Sequence, residues 1–495
     1  MRYQSTRGSD ERLTAAEAIV RGLAEDGGLF VPESFPALSL EKITDLASKA
    51  YKDRAAYITG LFSEGFTEDE LDLYSGAAYN PAGFDDPAIA PLHKLDDKTV
   101  FLELWHGPTC AFKDMALQML PHILTASLRK TGEEREACIL VATSGDTGKA
   151  ALEGFRDVPG TRVMVFYPRD GVSDVQKLQM TSQSGNNVNV VAVEGNFDDA
   201  QTGVKAIFSD AGFRDELNER GFFLSSANSI NWGRLVPQIA YYVSAYCDLL
   251  AGGEIDIGDR INFCVPTGNF GNILSAYYAE KIGLPINRLI CASNRNDVLT
   301  QFIRTGVYDK NRPFYTTVSP SMDILVSSNL ERLLFEMSGR DGAAVSDYMS
   351  SLSLTGRYEV PTIVQREVDR VFAGGQCSEE NTLKTIAGTF ENHGYLIDTH
   401  TAVAYSVLLD YRAETGDRTH TVVVSTANPF KFSDSVLMAL GRQLEDKGAA
   451  LIDKLAEATG APVPAPLAEL YKKTPRFPGS VQISGMKEAV RKFVF

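Results

Sequence analysis

Apolar and polar positions along the chain follow two different periods. From Leu13 to about residue 65 the spacing is helical, in LTAAEAIVRGLA and LEKITDLASKAYKDRAAYITGLF, with the Gly- and Pro-rich break EDGGLFVPESFP between them. Residues 1–90 therefore read as a small, mainly helical amino-terminal domain. Beyond it the period changes to short β-branched runs: TVFLELW (99–105), CILVATS (138–144), VMVFYP (163–168), NVVAVEG (189–195), INFCVP (261–266), LIC (289–291) and TVVVST (421–426). Each run is followed by glycine or polar punctuation and then by a helical pattern. Strands alternating with helices predict βαβ units and a largely parallel sheet. Sheets of that kind carry ligands in the loops at the carboxyl ends of their strands.

The pattern predicts an α/β fold with two open, parallel-sheet domains behind the helical amino-terminal one. Residues 91–435 form the α/β region, in subdomains of roughly 100–250 and 255–435. Within it, residues from about 310 to 410 look helical, as in LERLLFEMSG and IVQREVDRVFAGG. Residues 436–495, including the Pro-rich APVPAPLAEL, read as a helical carboxyl-terminal tail.

Length and charge narrow the picture. A chain of 495 residues fits roughly three domains or subdomains and buries enough surface to need no disulfide or metal staple. Its 48 Lys and Arg against 64 Asp and Glu give a net charge of −16, which argues against nucleic acid or an anionic membrane as main partner. A small anionic substrate stays compatible, because local cations override a distant, screened field. Cys110, Cys138, Cys247, Cys264, Cys291 and Cys377 show no metal-ligand spacing and read as buried thiols in a reducing compartment. The polar start MRYQSTRGSD and the lack of any membrane-length apolar stretch point to a cytoplasmic protein.

Four strand-to-loop junctions carry candidate chemistry. In ELWHGPTCAFKDMALQML, Lys113 follows apolar Ala111 and Phe112 where a helix begins. The positive helix end and partial burial would both lower its ammonium pKa, which suits an amine that attacks a carbonyl. The plain alternative is an exposed lysine on a helix flank. In VPTGNFGNILSAYYA, the loop Gly268-Asn269-Phe270-Gly271-Asn272 ends a strand and opens a helix, a phosphate cradle without the Walker lysine. In ATSGDTGKAA, Ser144, Asp146 and Thr147 stand at a helix start, as a second anion site or simply as a cap by Asp146 or Thr147. In SSANSINWGRLVPQ, Asn228, Ser229 and Arg234 offer hydroxyl, amide and guanidinium donors to a phosphate or carboxylate, unless Arg234 only pairs with an acidic neighbour. His106 either lines the site or makes a structural hydrogen bond.

Taken together, HGPTCAFKD, SGDTG, SANSIN..R, GNFGN and the late STAN resemble the threonine synthases, within the tryptophan-synthase-β-like class of pyridoxal-phosphate enzymes. The likeness runs from the amino-terminal STRG to about residue 435. The resemblance implies pyridoxal 5′-phosphate held between the two α/β domains. Lys113 takes the place of the Schiff-base lysine, and Gly268, Asn269, Phe270, Gly271 and Asn272 that of the cofactor-phosphate loop. Thr426 matches the hydroxyl facing the pyridine nitrogen. Asp146 falls where several relatives carry Asn beside the 3-hydroxyl. Asn228, Ser229, Arg234 and Thr147 would hold a substrate phosphate, with Ser144 near its carboxylate. Asn428-Pro429 stands where the family pattern has His-Pro.

The resemblance further implies conversion of O-phospho-L-homoserine and water to L-threonine and phosphate, by a monomer or homodimer, with no metal. A phospholyase or a threonine or serine dehydratase of the same fold is the nearest alternative. Arg234 and the SANSIN segment speak against an unphosphorylated substrate. A silent ligand-binding protein conflicts with an intact Lys113, and a nucleotide-dependent phosphotransferase lacks the Walker lysine and a magnesium-binding carboxylate set.

Overall fold

A computed structural model describes residues 1–169, 172–444 and 446–495. Eleven of the fifteen strands among the described residues gather into two largely parallel sheets, and the other four form two antiparallel ribbons. The larger has six strands, in the spatial order Phe372–Gln376, Ile286–Ser293, Ile261–Pro266, Thr421–Ser425, Thr99–Glu103 and Leu92–Asp96. All its pairings are parallel except that of Leu92–Asp96, which folds back antiparallel on Thr99–Glu103. The smaller has five parallel strands, in the order Ser480–Val481, Val188–Val193, Thr161–Pro168, Glu136–Ala142 and Phe222–Ser225. Val163–Pro168, Ile261–Pro266 and Thr421–Ser425 are buried at every residue. That is why they read as unbroken apolar runs: helices cover both faces of a parallel sheet.

The chain crosses between the sheets three times, the last time at Ser480–Val481. It lays down Leu92–Glu103 in the larger sheet, builds the smaller one from Glu136 to Ser225, and returns at Ile261. The 20-residue helix Trp232–Ala251 carries that return and is buried along almost its whole length.

Four strands of these two sheets escape the sequence pattern, and each has a reason. Phe372–Gln376 continues directly from the helix Thr362–Val371, where the sequence had read helix through AGG. Its Gly374 and Gly375 give no strand signal, yet they are required: a Cβ on Gly375 would meet Val407 at 2.4 Å, from the helix Thr399–Thr415 packed on the sheet. Leu92–Asp96 and Phe222–Ser225 lie at sheet edges and are only partly buried. Ser480–Val481 joins the smaller sheet from the region read as a helical tail, and the helix Met486–Val494 that follows packs Met486, Val490 and Val494 against it.

At the amino terminus, Tyr3–Ser5 and Phe30–Pro32 form a two-stranded antiparallel ribbon ahead of the helices Leu40–Ala47, Tyr51–Leu61 and Glu68–Ala78. Phe30–Pro32 lies in what the sequence presents as a turn. Thr6 and Arg7 tie this ribbon to Glu331, the Arg7 guanidinium by two contacts of 2.9 Å. All six cysteines are free and buried. Among the described residues no helix is long and apolar enough to cross a membrane, and no His, Cys, Asp and Glu group has a metal-binding arrangement.

Candidate active site

Five loops leave the carboxyl ends of parallel strands, and every predicted site residue lies in one of them or in the first turn of the helix that follows. Ile261–Pro266, Thr421–Ser425 and Thr99–Glu103 are consecutive neighbours in the larger sheet, and Glu136–Ala142 adjoins Phe222–Ser225 in the smaller. Their loops carry Gly268–Asn272, Thr426, Lys113, Ser144–Thr147 and Asn228–Arg234.

The Lys113 loop is stitched to the Thr426 loop. The Phe112 N–H donates to the Thr426 carbonyl at 2.8 Å, the Asn428 N–H to the Cys110 carbonyl at 3.0 Å, and Ala111 and Ala427 form an antiparallel bridge. Cys110 takes a left-handed conformation, φ 58°, that turns the chain into the lysine. Asp114 closes the turn by accepting from the Thr109 N–H and hydroxyl at 2.8 and 2.7 Å. The lysine amine rests 3.8 Å from the centre of the Phe112 ring.

Burial first, then the nearby Arg234 guanidinium, pushes the Lys113 ammonium down to about 7, with Asp146 pulling upward and Lys431 adding to the fall. The helix expected to lower it spans only Asp114–Leu117. A four-residue helix has little macrodipole, so desolvation and like charge do that work instead.

Asp146 is the first residue of the helix Asp146–Gly154, but it does not cap it, and neither does Thr147. The turn is held instead by the Thr143 hydroxyl, which accepts from the Gly145 and Gly148 N–H groups at 3.0 and 2.9 Å. The Asp146 carboxylate meets the fully buried Lys431 ammonium at 2.7 Å and accepts from the Gln176 amide at 2.8 Å. Burial works to raise the Asp146 carboxyl, yet the Lys431 cation and the Gln176 bond hold it at about 2. Lys431 also donates to the Thr109 carbonyl at 2.8 Å, so one side chain braces both the lysine loop and the Ser144 loop. Nothing in NPFKF marked it beforehand; only the neighbouring STAN motif placed it near the site.

The Gly268–Asn272 loop needs its first glycine for space, since a Cβ there would meet the Ser321 carbonyl oxygen at 2.5 Å. Its left-handed residue is Phe270, φ 61°, rather than either glycine. Asn272, in the first turn of the helix Gly271–Ile282, accepts at Oδ1 from the Tyr241 and Tyr242 hydroxyls, which leaves its buried Nδ2 donor without a partner. Arg234 is alike: Nη1 donates to the Ala227 carbonyl, and its buried Nε has no partner. No acidic residue pairs with it among the described residues. Burial pushes its guanidinium below the usual arginine range. The two loops touch, because a Cβ on Gly271 would come within 3.1 Å of the Ser229 Cβ.

Ser144, Thr147 and Asn228 are half-buried at the same loop ends, and the Thr426 side chain is buried beside them. His106 lies at the rim as a clamp, 2.6 Å from Asp85 and 2.8 Å from Glu103. Burial would lower its pKa, but those two carboxylates raise it to about 9. Asn329 and Arg332, in SSNLERLL, were read only as part of a helix, yet they join the Ser229 and Asn269 loops.

Three family descriptions match the chain: threonine synthase N terminus over residues 2–79, pyridoxal-phosphate dependent enzyme over 87–427, and threonine synthase, C-terminal, over 401–494. Threonine synthase from Pseudomonas aeruginosa is 39% identical over 476 residues, 96% of this chain and 95% of that protein. Human threonine synthase-like 1 is 42% identical over 436 residues, 86% of this chain, and the match spans 58% of the human protein's own length. Pyridoxal-phosphate-bound threonine synthase from Brucella melitensis shares the fold with a TM-score of 0.87 at 37% identity, over 100% of this chain and 99% of that one. The yeast enzyme gives the same TM-score at 31% identity, over 100% and 98%.

Proposed function

The chain belongs to the threonine synthase family of pyridoxal-phosphate-dependent enzymes, and on that premise we propose that it converts O-phospho-L-homoserine and water into L-threonine and phosphate. The observation that carries this reading is a desolvated lysine set beside two separate anion sites. With an unphosphorylated amino acid, the cofactor phosphate would use the Gly268–Asn272 loop, the substrate carboxylate would use Ser144, and the buried Arg234 would have no anion to hold.

The donor set fits pyridoxal phosphate. The Gly268–Asn272 loop offers backbone N–H groups at a helix start and the unpaired Asn272 Nδ2 to the phosphate. Lys113 supplies the amine for the aldehyde, Thr426 a neutral hydroxyl for the ring nitrogen, and Asp146 a carboxylate whose charge Lys431 balances. The cofactor, when bound, supplies a carbonyl for amines and a ring that draws electrons from the substrate's Cα.

The chain's own residues do the rest. With a pKa near 7, about half of Lys113 is neutral at neutral pH, where an ordinary lysine is almost wholly charged. The neutral amine takes the proton from Cα and later returns it, and a base tuned to ambient pH contributes about 10²–10⁴-fold per transfer. Arg234, through its free Nε and remaining N–H groups, holds the substrate phosphate with Asn228, Ser229 and Thr147 and offsets its charge as it departs. Ser144 takes the substrate carboxylate.

Purified protein loaded with pyridoxal phosphate and given O-phospho-L-homoserine should release threonine and phosphate in equal amounts. Phosphate without threonine would make it a phospholyase, and no phosphate at all would overturn the reading.

A further inference from the structure

Ser229 can either donate or accept, and its usefulness to a phosphate depends on which it does. A phosphate dianion has only acceptor oxygens, so it gains from a hydroxyl whose proton points at it.

Asn329 decides the matter. Its side-chain oxygen accepts from Arg332 Nη1 at 2.6 Å, and a guanidinium has no lone pair to offer in return. Its Nδ2 donates to the Asn269 carbonyl at 3.0 Å, and a carbonyl can only accept. Those two contacts fix the amide orientation, which a hydrogen-bond network alone normally assigns. The same Nδ2 lies 2.8 Å from Ser229 Oγ, so that oxygen must be the acceptor. The Ser229 proton is therefore turned away from Asn329 and is free.

Arg332 is itself held without freedom. It donates from Nε to the Phe30 carbonyl at 3.0 Å, from Nη1 to the Ser229 carbonyl at 3.1 Å and from Nη2 to the Ile230 carbonyl at 2.7 Å. Asn329 and Arg332 are both fully buried. A buried guanidinium bonded at all three of its nitrogens is a rigid one.

We propose that Asn329 is a positioning residue for phosphate specificity: through the chain Arg332 to Asn329 to Ser229 it fixes the serine hydroxyl as a donor toward the substrate's phosphate. This rests on the reading above that Ser229 contacts that phosphate. The same amide, through Asn269, holds the substrate loop and the cofactor-phosphate loop in one register. Asn329 itself touches no reacting atom.

The probe is inorganic phosphate, bound to the cofactor-loaded enzyme at constant ionic strength and followed by calorimetry. Asn329→Ala should weaken phosphate binding about tenfold, raise KM for O-phospho-L-homoserine by a similar factor and change kcat less. Ser229→Ala should do the same. The double variant should be no weaker than the weaker single one, because both act through one hydroxyl. Factors that multiply in the double variant would overturn the proposal, as would unchanged phosphate affinity in Asn329→Ala. Arg332→Lys, which cannot reach its four acceptors together, reads the same quantity if Asn329→Ala does not fold. These outcomes leave the proposed reaction intact; that reaction fails only if the unaltered enzyme makes no threonine and phosphate.

Discussion

At the scale of single residues, the site is built from charges that would be costly anywhere else. Lys113 is half-buried near two other cations, Arg234 and Lys431, and so favours its neutral form. Its folded pKa of about 7 lies below the ordinary lysine value of 10.5, so the unfolded chain holds the extra proton between those limits. Stability from this group therefore rises as pH goes from about 7 to 10.5. Cofactor-free Lys113→Met should be more stable than the parent by up to about 4 kcal/mol at pH 7, with the gap closing toward pH 10.5. Urea unfolding at several pH values measures it.

Lys431→Met should act the other way, by stranding the Asp146 carboxylate. Removing one partner of a buried pair costs about 3–5 kcal/mol, and a loss below 1 kcal/mol would mean that Asp146 is solvated. Of these residues the sequence exposes Lys113, Arg234 and Asp146, because each sits in a motif at a loop. It hides Lys431, Asn329 and Arg332, whose roles come from contacts across 60 to 322 residues. Arg332, for example, reaches back to Phe30.

At the scale of elements, the strand-to-loop junctions are where sequence and structure agree best. INFCVP is a strand over the predicted residues, Ile261–Pro266, with its phosphate-type loop directly after it. A buried parallel strand must be apolar throughout, and the loop at its end must be small and polar, so both leave marks. The strand Phe372–Gln376 leaves none, because the close approach of Val407 demands glycine where strand propensity would ask for bulk. The same logic makes Gly268 a test. In Gly268→Ala the new Cβ would collide with the Ser321 carbonyl oxygen, which is backbone and cannot swing aside. Affinity for pyridoxal phosphate should fall at least tenfold by absorbance titration, with the fold kept. Gly76→Ala, with open space around its helical position, should leave that affinity unchanged and stabilise by up to about 1 kcal/mol.

At the scale of the whole molecule, the chain's ends belong to the α/β body rather than hanging from it. The amino-terminal ribbon is fastened through Glu331, one residue from Arg332. The last twenty residues add a strand and a helix to the smaller sheet, with Glu194 N–H donating to the Val481 carbonyl at 2.9 Å and Arg491 pairing with Glu216 at 2.8 Å. A chain ending at Lys473 would lose the burial of Met486, Val490 and Val494 and should be destabilised by on the order of 5 kcal/mol, at about 1.5–3 kcal/mol per side chain. None of the site loops lies in that segment, so the truncated protein should still take up cofactor well below its lowered melting temperature, as read by absorbance during a thermal scan.

Every functional step assigned to this molecule passes through the amine of Lys113, and its covalent state can be read directly. The loaded enzyme, reduced with borohydride and digested, should give a single pyridoxyl-bearing peptide, the one that contains Phe112-Lys113-Asp114. A pyridoxyl group fixed on Lys431, or on any other lysine, with Lys113 unmodified would contradict the account.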